Sequence, residues 1–501
     1  MGLGDKTIKF FVDILCKTPR ATYHEELIAE RLAGFAAERG LKHLRDGKNN
    51  IIIYKPATGK YTNTSTPVIL QAHTDMVCVP VSADFSLGID AYLSEEHRMT
   101  GRSAATGKKT SLGADNGIGV AVILEVLDGG SYIIHPPIVA IFTAEEECGL
   151  TGARDISKDD IVNIAPGLNF RNAKFINLDD GRHGQYSVGC AGSVNAVIKI
   201  PIERNNSLPE NPSFFELTVS GLTGGHSGLS IHEMRANANV LLCDAVRRII
   251  YSGIDVSVVK LAKCGDAANA IPSNASAIIA APRTQSGKLG QTAAMIEKIF
   301  RDRHQSTDPN LRVDTPTITN RIDTTAPYSK KTLSALLSIA ASVPDGLLTW
   351  SANMPGLAET SSNLGIIADD GESIVITCMV RSSVDALREL VADDMRGICA
   401  AHGAGFESSS RSPGWAYKAE NRLRDLFLDK YKKLFGADGA ASAVHAGLEC
   451  GHFAAKFAEF DGMDFISCGP TIADIHGINE TLHTDTVPKF VKLLAAVLED
   501  C

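Results

Sequence analysis

The chain has 501 residues, beyond the size at which one hydrophobic core stops growing, so two domains are expected. Its 58 acidic against 49 basic residues, a formal charge of −9, leave no basic excess to meet nucleic-acid phosphates. A hydrophobic fraction of 44% excludes compositional disorder, and no run of about 18 apolar residues is present that would cross a bilayer. The opening segment MGLGDKTIKFFVDILCKTPR is too polar at its start, and too short in its apolar part, to read as a secretory signal. Eleven cysteines, an odd number without close repeated spacing, read as reduced, largely buried thiols, so a cytoplasmic location is expected. In chain order, HEELIAERLAGFAAER (24–39) predicts an amphipathic helix and NIIIY (50–54) a strand. PVILQA (67–72), PIVAIFT (137–143), KFINL (174–178) and DFISC (464–468) predict further buried strands, with GIGVAVILEVL (117–127) a buried helix. Val- and Ile-rich runs alternating with helical patterns predict an α/β catalytic domain with a mainly parallel sheet flanked by helices.

The chemistry lies where those strands stop. His73, Thr74 and Asp75 follow one, Glu145, Glu146 and Glu147 another, and Asp179 and Asp180 a third. Ligands of open α/β sheets bind outside the carboxyl ends of the strands, so these side chains are expected at one polar site. Asp115 in SLGADNGIGVA joins them from a Gly-rich turn, although capping the following helix is an alternative use for it. Three adjacent glutamates repel one another, and burial adds to the cost. One histidine with several acids suits zinc, or manganese or cobalt, and the number of ligands is enough for two cations. Two-metal sites of this kind hydrolyse amides and phosphates.

HTD (73–75), GADNGIG (113–119), TAEEECGLTGA (143–153), INLDD (176–180), VGCAG (188–192), GGHSG (224–228) and HAGLECG (445–451) resemble, in order and spacing, the aminoacyl-histidine dipeptidases. These belong to the superfamily of co-catalytic zinc aminopeptidases, aminoacylases and carboxypeptidases. The likeness runs over nearly the whole chain. It implies that His73 and Asp179 hold one zinc, that Glu147 and His476 hold the other, and that Asp115 bridges them. It further implies that Asp75 orients His73 and that Glu146 is the general base. Glu145 is left as a solvated or salt-bridged neighbour. The surroundings of His476 depart from the pattern, because Gly477, Ile478 and Asn479 intervene before Glu480, so His483 and His445 remain rivals.

Between 192 and 408 the texture changes. SVNAVIKIPI and SFFELTVSGL alternate with period two, as half-exposed antiparallel strands do, while IHEMRANANVLLCDAVRRII and SSVDALRELVADDMRGICAAHG predict amphipathic helices. The middle therefore resembles an inserted α+β lid and dimerisation domain (192–408) splitting a catalytic domain into 1–191 and 409–501. There the resemblance makes His226 a stabiliser of the oxyanion, against the plain alternative of an exposed turn histidine. It makes Arg381 the receptor for the substrate carboxylate, against a surface salt bridge, and Asn269 a lesser substrate contact. The implied activity is metal-dependent hydrolysis of dipeptides, Xaa-His among them, by a homodimer without nucleic-acid or membrane partners. A related amidohydrolase acting on tripeptides or N-acyl amino acids, and a noncatalytic peptide- or metal-binding descendant, are the alternatives.

Overall fold

The computed structural model describes residues 4–61, 64–129, 133–205, 207–318 and 326–501. Two compact units divide the chain. The first comprises Met1–Cys190, Trp415–Ala443 and Leu448–Cys501, the second Ala191–Gly414 and Val444–Gly447. Residues 409–414 thus go with the middle unit, as does the start of the motif at 445.

In the first unit an eight-stranded sheet runs in the order Lys42–Arg45, Ile51–Lys55, Ile138–Thr143, Val68–His73, Lys174–Asn177, Asp464–Ser467, Gln185–Cys190, Ala440–Val444. Its four central strands, Ile138–Thr143 through Asp464–Ser467 in that order, are parallel. Every residue of Val68–His73 and Ile138–Thr143 is buried, which explains why these mainly apolar runs do not alternate. The parallel set stops there. The strand Ile51–Lys55, expected within it, pairs antiparallel with Ile138–Thr143, and Gln185–Cys190 pairs antiparallel with Asp464–Ser467.

The helix Ala114–Asp128 is buried over almost its whole length, as its run of apolar residues from Ile118 to Leu124 on every face requires. The closing helix Thr486–Glu499 buries Val487, Phe490, Val491, Leu494, Val497 and Leu498, the one-sided spacing of a helix laid on a core. A second, five-stranded sheet in this unit includes Ile89–Glu95, Arg98–Ser103 and Thr481–His483. The polar composition of its strands hid it from the sequence pattern.

Among the described residues, the second unit holds three antiparallel sheets, the smallest of them the two-stranded pair Gly225–His226 and Ala270–Ile271. Of the two larger ones, one runs Gly346–Trp350, Ala358–Asp369, Ser373–Ser382, Gly192–Pro201, Gly405–Ser412, the other Ser257–Cys264, Ala275–Pro282, Pro212–Ser220, Arg312–Asp314. Burial alternates strictly along Gly192–Pro201, as period two requires. The helix expected from residue 231 begins later, at Ala238. Asn237 caps it by accepting from Asn239 and Val240 N–H, and Ile231–Glu233 forms a separate 3₁₀ turn. Among the described residues, no helix is long and apolar enough to cross a membrane. Cys148 is the one exposed cysteine, Cys78 and Cys501 are half-buried, and the other eight are buried.

Candidate active site

The parallel strands end in register, and this alignment gathers the site. Gln71 pairs with Ile141 and Asn177, so His73, two residues on, reaches the sheet edge beside Thr143 and just before Asp179. Below the edge, buried polar side chains link neighbouring strands. Thr143 Oγ1 donates to Glu449 Oε2 at 2.9 Å, Gln71 Nε2 donates to Thr143 Oγ1 at 3.0 Å, and Asn177 Nδ2 donates to Gln71 Oε1 at 2.6 Å. Glu449 is fully buried, and burial pushes its carboxyl up to about 7. It lies inside the motif HAGLECG, where a charged residue opening an apolar helix was the available signal that sequence reasoning passed over.

Above that layer, His73 Nδ1 lies 3.3 Å from Asp75 Oδ1, and its Nε2 lies 3.2 Å from Asp115 Oδ1 and 3.6 Å from Asp179 Oδ1. Asp75 also builds the glutamate turn, since Oδ1 accepts from Glu146 N at 3.0 Å and Oδ2 from Glu147 N at 3.2 Å. Three consecutive glutamates then diverge. Glu145 takes a left-handed conformation (φ 53°) and pairs with Lys48 at 2.8 Å, the salt-bridged neighbour expected of it. Glu146 and Glu147 stay with the acid cluster. Asp180 turns the other way, held by both arms of Arg182 and by Ser187, which leaves Asp179 facing His73.

Asp115 does not cap its helix. Its backbone is non-helical (φ −78°, ψ 111°), and its carboxylate lies between two imidazoles, His73 on one side and His476 Nε2 at 3.1 Å on the other. His476 Nε2 is also 2.9 Å from Glu147 Oε1. The rivals lie elsewhere. His483 pairs with Arg98 in the second sheet, and His445 belongs to the middle unit, 2.7 Å from Ser361 Oγ. Imidazole-nitrogen and carboxylate-oxygen atoms of His73, Asp115 and Asp179 lie within 4.8 Å of one another, and so do those of Asp115, Glu147 and His476. The two groups share Asp115. A third such group joins His73 with Glu146 and Glu147.

The electrostatics follow from this crowding. Among the described residues, no lysine or arginine pairs with Asp115, Glu146, Glu147 or Asp179. Burial pushes Asp179 up to about 8 and holds Glu146 well above the usual carboxylate range. Burial also opposes charge on His73, but Asp179, Asp115 and Asp75 outweigh it and raise this imidazole well above its ordinary value. Hydrogen bonds to Asp115 and Glu147 carry His476 up to about 10. Burial opposes ionisation of Asp115 as well, yet His476 and His73 hold its carboxyl low. A donor set of two imidazoles and several uncompensated carboxylates fits divalent cations. Beside it a small cavity is walled by Asn116, Ile118, Leu178, Ile472 and Ile475.

The middle unit has its own polar cluster. His226 lies on the short strand Gly225–His226, paired antiparallel with Ala270–Ile271. Its Nδ1 accepts from Gly228 N at 3.1 Å and Leu229 N at 3.0 Å, so the ring proton sits on Nε2 and that atom is left to donate. Burial, then the charge of Arg381, lowers its pKa and keeps the ring neutral. Asn269, exposed, accepts from Ser227 N through its backbone carbonyl at 2.9 Å.

Arg381 lies within the strand Ser373–Ser382, not after it, and is 6% exposed. Its Nε has no partner, and burial pulls its pKa down to about 10. That excludes the surface salt bridge. Among the described residues, no carboxylate pairs with this buried guanidinium.

A parallel-sheet edge that joins imidazole and carboxylate donors around a shared aspartate is the build of a metallohydrolase. The chain belongs to peptidase family M20/M25/M40, whose model matches residues 69–500. It is 32% identical over 492 residues to the cytosol non-specific dipeptidase of Escherichia coli (strain K12), covering 97% of this chain and 96% of that one. Its structure is similar to that of aminoacylhistidine dipeptidase from Vibrio alginolyticus, with a TM-score of 0.85 at 29% identity over 99% of this chain and 97% of the other. A tripeptidase from Staphylococcus aureus subsp. aureus Mu50 shares the fold at a TM-score of 0.55 and 14% identity, over 100% and 99% of the two chains.

Proposed function

We propose that this M20-family protein is a metal-dependent dipeptidase, broad in specificity and active on Xaa-His dipeptides. The observation that carries the proposal is the pair of ligand groups sharing Asp115. His73 and Asp179 would hold one cation and Glu147 and His476 the other, with Asp115 common to the two ligand groups. Imidazole and carboxylate donors suit zinc, with manganese and cobalt as alternatives. Two such cations, when bound, polarise the scissile carbonyl and lower the pKa of an attacking water.

Glu146 accepts the proton of that water and returns it to the departing amine. Burial raises its pKa above the usual carboxylate range, which makes it the stronger proton acceptor. Asp75 fixes the far nitrogen of His73 and the backbone of the glutamate turn, so one carboxylate orients ligand and base together. His226 donates Nε2–H to the oxyanion of the tetrahedral intermediate. Arg381 receives the substrate carboxylate as a bidentate fork, with Asn269 a lesser contact. That demand for a free C-terminus restricts substrates to short peptides.

The E. coli relative is named as cytosolic, which supports a cytoplasmic location for this chain. Exposed Leu229 (59%), Met234 (63%) and Trp350 (50%) on the middle unit support pairing of two copies through that unit. The test of function is hydrolysis of alanyl-histidine by the purified protein as isolated, after chelation and after zinc is restored. Activity that vanishes and returns establishes the assignment. No cleavage by zinc-loaded protein overturns it and directs the search to tripeptides, N-acyl amino acids and binding without turnover.

A further inference from the structure

Two buried charges outside the ligand set grip the turn that carries Asp115. Arg20 is 2% exposed, and among the described residues no carboxylate pairs with its guanidinium. It donates instead to backbone carbonyls: Leu15 O at 3.3 Å, Thr74 O at 3.0 Å, Asp75 O at 3.1 Å and, through Nη2, Gly113 O. Glu480 is also 2% exposed. Its Oε2 accepts from Leu112 N and Gly113 N, each at 2.8 Å, and its Oε1 accepts from Asp115 N at 3.0 Å. Gly113 is therefore held on both sides, its N–H by a carboxylate and its carbonyl by a guanidinium. Its φ is 68°, and a Cβ there would lie 2.5 Å from Arg20 Nη2 and 2.7 Å from Met76 Sδ. Only glycine fits the grip.

These contacts join three distant segments that carry proposed ligands. Arg20 binds the carbonyls directly after His73 and the turn before Asp115. Glu480 lies four residues beyond His476 and binds the turn through Asp115's own N–H. Neither charged group touches a ligand side chain in any hydrogen bond the structure shows. Both make charge-assisted bonds, about twice as strong as neutral ones, in a site that excludes water.

We infer that Arg20 and Glu480 form a clamp, closing on Gly113, that sets the spacing of His73, Asp115 and His476 before any cation binds. They are positioning residues. The clamp rests on the metal-binding reading of the site and adds to it that cation affinity is fixed by two groups that are not ligands. Loss of a partner that orients ligands ordinarily weakens metal binding about 10- to 100-fold.

The experiment compares Glu480→Gln with Glu125→Gln in the full chain. Glu125 is an apt control because it is fully buried in the same unit and accepts from Gly4 N and from Thr7 N and Oγ1, away from the ligands. Zinc affinity is measured by competition with a chromophoric chelator, and ligand geometry by the visible absorption of the cobalt-substituted protein. Glu480→Gln is expected to bind zinc about 10- to 100-fold more weakly, with an altered cobalt spectrum, while Glu125→Gln keeps wild-type affinity and spectrum even where both melt earlier. If Glu480→Gln does not fold, Glu480→Asp, which keeps the charge but draws it back by one methylene, is judged by the same readouts. Wild-type affinity and spectrum in the Glu480 variant, or equal loss in the Glu125 variant, overturns the clamp alone. A wild-type protein that binds no zinc overturns the metal reading and the clamp with it.

Discussion

His476 Nε2 stands 2.9 Å from Glu147 Oε1 across 329 residues of sequence. The glutamate comes from the turn after a central parallel strand, the histidine from a loop in which His476 itself is left-handed (φ 59°). That contact brings the late segment into the acid cluster and gives Asp115 its second imidazole.

Glu146 is half-buried and shares its site with Glu147 and His73, and among the described residues no lysine or arginine pairs with it. Glu146→Gln keeps its volume and removes its basicity. The variant should lose about 10²- to 10⁴-fold in kcat, the usual worth of a general base, with KM and zinc content close to wild type. Steady-state kinetics with zinc content measured on the same sample checks it. A kcat within a few-fold of wild type assigns the base elsewhere.

The protonation equilibria predict how zinc and protons compete. His476 at about 10 lies above the ordinary histidine value of about 6.5, and Asp179 at about 8 lies above the ordinary aspartate value of about 4. Both folded-state values are raised, so in chelated protein their stabilisation is complete below the ordinary values. It is lost as pH rises through about 8 for Asp179 and about 10 for His476. Zinc needs the same groups deprotonated. The gap in melting temperature between zinc-loaded and chelated protein should therefore widen from pH 5 to about pH 9. Thermal scans across that range measure it, and a constant gap argues that these groups are not ligands.

His226 should act as a neutral donor, because two backbone N–H groups occupy Nδ1, and burial and then Arg381 disfavour its cation. His226→Ala is expected to lower kcat by about 10²- to 10³-fold, as loss of an oxyanion donor does, with zinc content intact. His226→Gln, which can still donate, should recover part of that loss. Equal activity of the wild type and the alanine variant would show a turn histidine and nothing more.

How much of this was legible in the sequence depends on whether burial leaves a mark on composition. The four central strands were readable because strands covered on both faces are mainly apolar without alternation, and the candidate ligands were readable because they stand at or just after the ends of those runs. The antiparallel run of Ile51–Lys55 was not, since strand direction leaves no trace in residue type. Nor was the sheet of Ile89–Glu95 and Arg98–Ser103, which carries polar residues throughout. Arg20, Glu449 and Glu480 escaped for a different reason. Each is a lone charge whose partners are backbone groups or neutral side chains distant in sequence, and lone charges ordinarily lie on surfaces.

Arg381 offers a prediction in which stability and function move in opposite directions. The residue is 6% exposed, its Nε is unpartnered, and burial alone depresses its pKa to about 10. A buried charge lacking its counter-ion costs folding free energy, and an apolar residue of similar length removes that cost. Arg381→Met should therefore melt at or above the wild-type temperature. If the guanidinium receives the substrate carboxylate, the same variant loses a charged hydrogen bond worth about 1.5 to 3 kcal/mol, and KM for alanyl-histidine rises by about 10- to 100-fold. The C-terminal amide of the same dipeptide lacks the carboxylate, so wild type and variant should cleave it equally poorly. Kinetics on the acid and the amide with both proteins, beside their melting curves, separate the two effects. A variant that melts well below wild type would show that Arg381 is held by structure, and one that discriminates acid from amide as wild type does would place the carboxylate receptor on another residue.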